Sequence, residues 1–153
     1  MNLARSTDGA FLNRVVNDPP VHDAISLGSK DAIDLAAAVA DERNVFLANE
    51  FGGFLLMNHG GGMYDLHTQF LPEGRGKIAI EAAIEGCRYM FVETDCIAMS
   101  TFIALGNRAA LRLAKWMRFE KVGDSYVNNV AGEIYMLTIK RWVQEFKCQP
   151  HQR

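Results

Sequence analysis

The sequence predicts one mixed α/β domain, a mostly antiparallel sheet flanked by helices. Three observations point there. Apolar residues recur at helical three- and four-residue steps before residue 41 and again over residues 78–91, whereas from Asn44 onward the runs have the composition of strands. The second half reads strand, helix, strand, which requires one parallel crossover in a sheet otherwise joined by hairpins. Finally, 153 residues with 49% hydrophobic and 22% charged side chains suit one domain over residues 1–153, with its own core.

Taken in order, residues 1–6 read as a short strand. Thr7 or Asp8 then caps a helix over residues 10–16, which Asn17-Asp18-Pro19-Pro20 stops because proline lacks the N–H donor. A second helix is expected over residues 31–41, capped by Ser29, with Ile33, Ala36, Ala37 and Ala40 on one face. Residues 45–49 and 53–58 form a hairpin about Glu50-Phe51-Gly52. His59-Gly60-Gly61-Gly62 turns the chain into a third strand over residues 63–70, and the three glycines need only supply positive φ.

Leu71-Pro72-Glu73-Gly74 breaks that strand. A long helix follows through Ile78, Ala79, Ala82, Ala83, Cys87, Met90 and Phe91, weakened at Gly86. Residues 97–105 read as a strand and residues 107–117 as a helix, with Trp116 and Met117 in the core. A terminal strand pair spans residues 119–122 and 133–142, joined by a polar loop that contains Tyr126, Asn128 and Asn129. The predicted order is β-α-α-β-β-β-α-β-α-β-β. The run from Glu133 to Lys140 is expected at a sheet edge, where it can pair with a second copy.

Composition excludes several function classes. A net charge of −2 and a pI near 6.1 argue against nucleic-acid binding through overall charge. No apolar run is long enough to span a bilayer, and residues 1–8 lack the apolar core of a secretory signal. Cys87, Cys96 and Cys148 contain no C-x-x-C pair. Cys148 and His151 make one C-x-x-H spacing without a second ligand pair, so no metal site is expected and the thiols read as reduced, in a cytoplasmic setting.

Two segments carry a family resemblance. Asn107, Ala110, Leu113 and Phe119 sit at ungapped offsets of zero, three, six and twelve, and Leu71-Pro72-Glu73-Gly74-Arg75-Gly76-Lys77 leads from the central strand into the long helix. With the element order, these resemble the GNAT superfamily of N-acyltransferases. The segments Asn17-Asp18-Pro19-Pro20-Val21, His67 and Leu71-Pro72-Glu73 are further similar to GNAT-like proteins of tailed bacteriophages and prophages.

That resemblance implies transfer of an acetyl group from acetyl-CoA to an amine by direct attack. It places the cofactor pyrophosphate on backbone N–H groups at the strand-to-helix turn. Gly74, Arg75, Gly76, Lys77, Asn107 and Arg112 are the implied cofactor-binding residues. The family pattern of Arg or Gln, two residues, Gly, one residue, Gly or Ala aligns in three ways. Anchoring on Pro72 and Arg75 puts Ile78 and Ile80 at the small positions, and anchoring on Gly74 and Gly76 puts Leu71 at the leading one. A one-residue deletion leaves Gly76, Lys77 and Ala79 around the helix start.

The family's acid, a Tyr seven residues after the Asn, is here Ala114, and its helix-ending Gly is Arg118. Candidate bases are Asp65, His67 and Glu50. His67 is preferred, because imidazole is the side chain that ordinarily titrates nearest neutrality. Tyr126 can serve as acid if its loop folds over the cleft. Arg108, Arg112, Lys115, Arg118 and Lys121 form a basic face suited to the 3′-phosphate end of coenzyme A, to an acidic partner, or to solvent. The Ile78, Ile80 and Ala114 departures define the alternative, a non-catalytic GNAT-fold assembly module. If phage-encoded, it would lie in the host cytoplasm or the virion, with phage structural proteins or further copies of itself as partners.

Overall fold

The computed structural model describes residues 2–147. Its first strand, β1, is confined to Ala4–Arg5, which pair with Ala48 and Leu47. Helix α1 (Gly9–Val16) follows, and the Asp8 side chain caps it by accepting from the Phe11 N–H at 2.9 Å.

The structure departs from expectation at Pro19-Pro20. These prolines do not end helical structure; they begin a further helix, α2 (Pro19–Ile25), standing at its first two positions, where no N–H is needed. The helix expected over residues 31–41 shrinks to α3 (Ala36–Ala40). Upstream of it, side chains take the backbone donors. Asn17 Oδ1 accepts from Ile33 N–H (2.8 Å), Asn13 Oδ1 from Leu35 N–H (2.7 Å) and Asp34 Oδ1 from Ala36 N–H (3.0 Å). Such bonds offer the backbone an alternative to the helix.

Strands β2 (Val45–Asn49), β3 (Gly52–Asn58) and β4 (Met63–Phe70) form the expected antiparallel meander. A 3₁₀ turn at Pro72–Gly74 leads into α4 (Lys77–Glu93). Then come β5 (Ala98–Ala104) and α5 (Arg108–Trp116).

The stretch read as a polar loop is strand. β6 (Glu120–Val127) and β7 (Val130–Thr138) form a hairpin about Asn128 and Asn129, both at left-handed φ (50° and 62°). Residues 139–142 are not strand but a helical turn, α6 (Ile139–Trp142), continued by a π-helical turn at Val143–Lys147. The polar composition of β6 follows from its place at the sheet edge, where most of its side chains meet water.

Among the described residues the seven strands form one sheet in the order β1-β2-β3-β4-β5-β7-β6, parallel only between β4 and β5. This is the mixed, mostly antiparallel sheet expected. The run Glu133–Lys140 is not an edge, however. Through Thr138 it lies in β7, paired to β5 on one side and β6 on the other, so the self-association expected there has no free strand to use. The free edges belong to β1 and β6.

Alternation divides the core into two layers. Val45, Leu47, Phe54 and Leu56 point to the face covered by α4 and α5. Phe46 and Leu55 point to the face covered by α1 and α3, with Leu12, Val16 and Val39. A fully buried side chain such as Leu47 contributes roughly 1.5–3 kcal/mol. No helix of the described residues is long and apolar enough to cross a membrane.

Helix α5 ends on a left-handed residue without glycine. Arg118 has φ 66°, its N–H donates to Lys115 O (3.1 Å), and the Phe119 N–H donates to Ala114 O (2.9 Å). Replacing Arg118 by glycine is expected to stabilise the protein by about 1 kcal/mol, raising Tm by roughly 2–4 °C, because glycine takes this conformation without the Cβ penalty. The exposed Arg118–Glu145 contact at 3.8 Å offsets little of that. A melt showing no rise would refute the assignment of strain to this residue.

Candidate functional site

Strands β4 and β5 pair at only three positions, Met63↔Ala98, Tyr64↔Met99 and Asp65↔Ser100, although both run on for several residues. β4 stays paired to β3 as far as Phe70, and β5 to β7 as far as Ala104. Each half of the sheet twists with its own partners, and the two central strands part. Their closed end is clamped by the Tyr64 hydroxyl, which donates to Asp95 Oδ1 at 2.7 Å. Burial, aided by Asp95, pushes the Tyr64 phenol up to about 12, so it remains a donor.

The β4 backbone also faces the gap. Met63 exchanges bonds with His59 and Gly60, and the Leu71 N–H donates to Phe51 O, all on the β3 side. By alternation the Thr68 amide faces β5, where no strand pair is formed. A cavity of about 440 Å³ fills this gap, and a second of about 230 Å³ adjoins it between α2, α5 and the start of α4. Ala24, Ile25, Thr68, Asn107, Ala110 and Leu113 line both.

Asp65, His67 and Gln69 share one face of β4, opposite Met57, Leu55 and Gly53, and all three line the larger cavity. His67 Nε2 lies 3.0 Å from Asp65 Oδ2, and both side chains are part-exposed. In the neutral tautomer that donates Nε2–H to this carboxylate, Nδ1 keeps its lone pair and can accept a proton. Sequence reasoning named Asp65 and His67 as separate candidate bases, did not pair them, and missed Gln69. The i, i+2, i+4 spacing that places it beside the dyad was legible; its buried and unpartnered Oε1 was not.

The smaller cavity gathers four of the six expected cofactor residues: Arg75, Gly76, Asn107 and Arg112. Gly76 stands before α4 with φ 71° and open space where a Cβ would lie. The first helical bond runs from Ile80 N–H to Gly76 O (3.0 Å), so the Lys77, Ile78 and Ala79 N–H groups have no acceptor within the helix. Of the three alignments, the one with Gly76, Lys77 and Ala79 at the helix start fits this geometry. Ile80 lines the cavity and Ile78 does not.

Gly74 and Lys77 line neither cavity. Gly74 is a packing glycine: a Cβ there would stand 2.3 Å from Phe51 Cβ, and its N–H is taken by Leu71 O at 2.9 Å. The Arg75 N–H likewise donates to Pro72 O (3.3 Å), and the Lys77 ammonium turns toward Glu81. Asn107 caps α5, with Oδ1 accepting from the Ala110 N–H at 3.2 Å.

The remaining candidates fall elsewhere. Tyr126 is on β6 rather than in a loop, 74% exposed, and lines neither cavity; its strand pairing to Ala131 holds it away. Glu50 is exposed in the β2–β3 turn. Ala114 does line the larger cavity, where the resembled family carries a tyrosine. Met117 is buried as expected, but Trp116 is 45% exposed on the wall of the smaller cavity.

On the basic face, Lys121 is engaged by Asp124 and Glu133, and Arg118 by Glu145, whereas Arg112 forms no ion pair among the described residues. No group of three metal-ligating side chains occurs among the described residues, and Cys148 and His151 lie outside them. Burial pushes the thiols of Cys87 and Cys96 up to about 12, which makes them poor nucleophiles.

No protein-family model and no curated protein sequence matches the chain. Solved structures do. Spermidine N-acetyltransferase from Vibrio cholerae, in complex with CoA and spermine, superposes with a TM-score of 0.73 at 14% identity, over 93% of this chain and 97% of that one. An aminoglycoside acetyltransferase in complex with coenzyme A and kanamycin gives 0.72 at 14% identity, covering 94% and 98%. A GNAT-family acetyltransferase from Bacillus anthracis gives 0.69 at 17% identity, covering 90% and 95%. At such identities the likeness is one of architecture, and the chain has the fold of the GNAT acetyltransferases.

Proposed function

We propose that this protein is an N-acetyltransferase that uses acetyl-CoA and an amine acceptor. The observation that carries the reading is the parting of β4 and β5 after three pairs, beside which two adjoining cavities share six lining residues, with a candidate proton acceptor on the larger and a cationic, donor-rich cleft at the smaller. The residues fit the cofactor. Arg75 and Arg112 supply charge for its phosphates, the free N–H groups of Lys77, Ile78 and Ala79 supply donors, and Gly76 leaves room for close approach. The Thr68 amide is a free donor in the gap for an extended polar chain.

Acetyl-CoA supplies an activated thioester, so that the amine nitrogen bonds to the acetyl carbon as the C–S bond breaks. His67 Nδ1 takes the proton the amine releases, and Asp65 holds the imidazole in the productive tautomer and stabilises its cation. With Ala114 in place of a hydroxyl donor, the thiolate draws its proton from solvent.

The test is calorimetric titration of the chain with acetyl-CoA. Arg112→Ala is expected to weaken binding roughly ten- to 150-fold, since a charge-assisted bond to phosphate contributes about 1.5–3 kcal/mol. No binding at millimolar cofactor would sink the proposal. A second reading, a GNAT-fold module without catalysis, draws on Ala114 and on Ile80 in the smaller cavity. Cofactor binding without thiol release over a broad panel of amines would favour it. The phage-associated role has only the short segments quoted above behind it.

A further inference from the structure

Among the described residues, two amide side chains are buried, Asn44 and Gln69. Asn44 is fully engaged: its Nδ2 donates to Ala38 O and its Oδ1 accepts from the Asn58 N–H. Gln69 is 3% exposed, and its Oε1 has no partner. A buried amide oxygen without a donor is destabilising, so its persistence at a cavity wall marks a place for a ligand donor.

The surroundings define that ligand. On the α2 side the cavity wall is apolar, formed by Ile25, Leu27, Ile33, Leu35, Leu55 and Met57. Leu27 is held there with φ 52°, a left-handed conformation that a branched side chain seldom takes. Among the described residues Asp65 is the only carboxylate on the wall, and it is already engaged by His67. A polycation entering this space would leave its further ammonium groups desolvated and unpaired.

Resting on the acetyl-transfer reading above, we infer that the acceptor is a single primary amine carried on an apolar body, not a polyamine or an aminoglycoside, and that Gln69 Oε1 accepts a hydrogen bond from its nitrogen. An ammonium and a neutral amine both carry N–H donors, so the contact serves arrival and reaction alike. His67, two residues along the same face of β4, takes the proton. The apolar wall holds the body of the acceptor, and Gln69 selects for the nitrogen.

The experiment measures thiol release from acetyl-CoA with 2-phenylethylamine, hexylamine, spermidine and kanamycin, alongside the calorimetric affinity for acetyl-CoA. The two monoamines are expected to show kcat/KM about tenfold or more above the polycations. Gln69→Met is expected to lower kcat/KM for 2-phenylethylamine about tenfold and to leave acetyl-CoA affinity unchanged. It should also raise Tm, because the orphaned oxygen is gone. Gln69→Glu, which adds a second carboxylate, should move preference toward 1,6-diaminohexane. Preference for spermidine or kanamycin, or a Gln69→Met enzyme with unaltered kcat/KM, overturns this inference and leaves the transferase reading standing if the cofactor binds. Failure of acetyl-CoA to bind overturns both.

Discussion

His67→Ala is expected to lower kcat for acetyl transfer about 10²–10⁴-fold, the usual contribution of a positioned general base, with acetyl-CoA affinity unchanged. The side chain meets the larger cavity and its Asp65 partner, 3.0 Å away, but lines no part of the smaller, phosphate-suited one. It is also about half exposed, so alanine leaves no buried cavity and the fold should survive. Asp65→Asn should be milder: an asparagine still accepts from Nε2–H but stabilises the imidazolium less. Single-turnover kinetics with calorimetric cofactor binding separate the two effects. A His67→Ala enzyme within threefold of the parent would show that another group or a water takes the proton.

Gly52→Ala is expected to be the more damaging change to the fold. Gly52 has φ 138°, and an added Cβ would stand 2.1 Å from the Gln69 carbonyl oxygen and 2.9 Å from Phe70 Cα across the ladder. Those are backbone atoms of β4, the strand carrying the dyad, and they cannot swing aside as a side chain tip would. The cost combines a disfavoured conformation with loss of strand pairing, in all about 3–4 kcal/mol. For a chain of this size that lowers Tm by roughly 6–16 °C. A variant melting within 2 °C of the parent would mean that β3 and β4 slide apart at little cost. Because Gln69 itself would shift, the amine affinity should fall with the stability.

What could be read from sequence follows the range of its determinants. Helix α5 was legible because its signals are local: Asn107 caps it, and Ala110, Leu113, Ala114 and Met117 face inward at helical spacing. The β2–β4 meander was legible for the same reason, since alternation and turn residues lie within each hairpin. Two misreadings have specific causes. Pro19 and Pro20 break a helix that precedes them but suit the first turn of one that follows, and sequence order alone does not choose. Residues 31–35 read as helix in the sequence because their competitors, Asn13 and Asn17, lie far upstream.

The candidate site divides likewise. Asp65 and His67 are legible as candidate bases from residue type on the central strand, and the family resemblance of the helix-start segment points to Arg75 and Gly76. Tyr126 is a candidate acid, in place of the tyrosine missing at Ala114, only if its segment is a loop; β6, an edge strand with mostly exposed side chains, is as polar as one. Gly74 had the composition of a phosphate loop, yet its place is set by the Phe51 ring, more than twenty residues earlier.

By itself, then, the sequence determined the class of fold and most of its elements, because each depends on residues a few positions apart. Only the tertiary structure decided where β4 and β5 part, which register of the α4 turn offers its N–H groups, and that Gln69 is buried without a partner. Those three features depend on contacts between segments distant along the chain. A strand's composition says what it can pair with; the twist of two half-sheets decides where pairing stops.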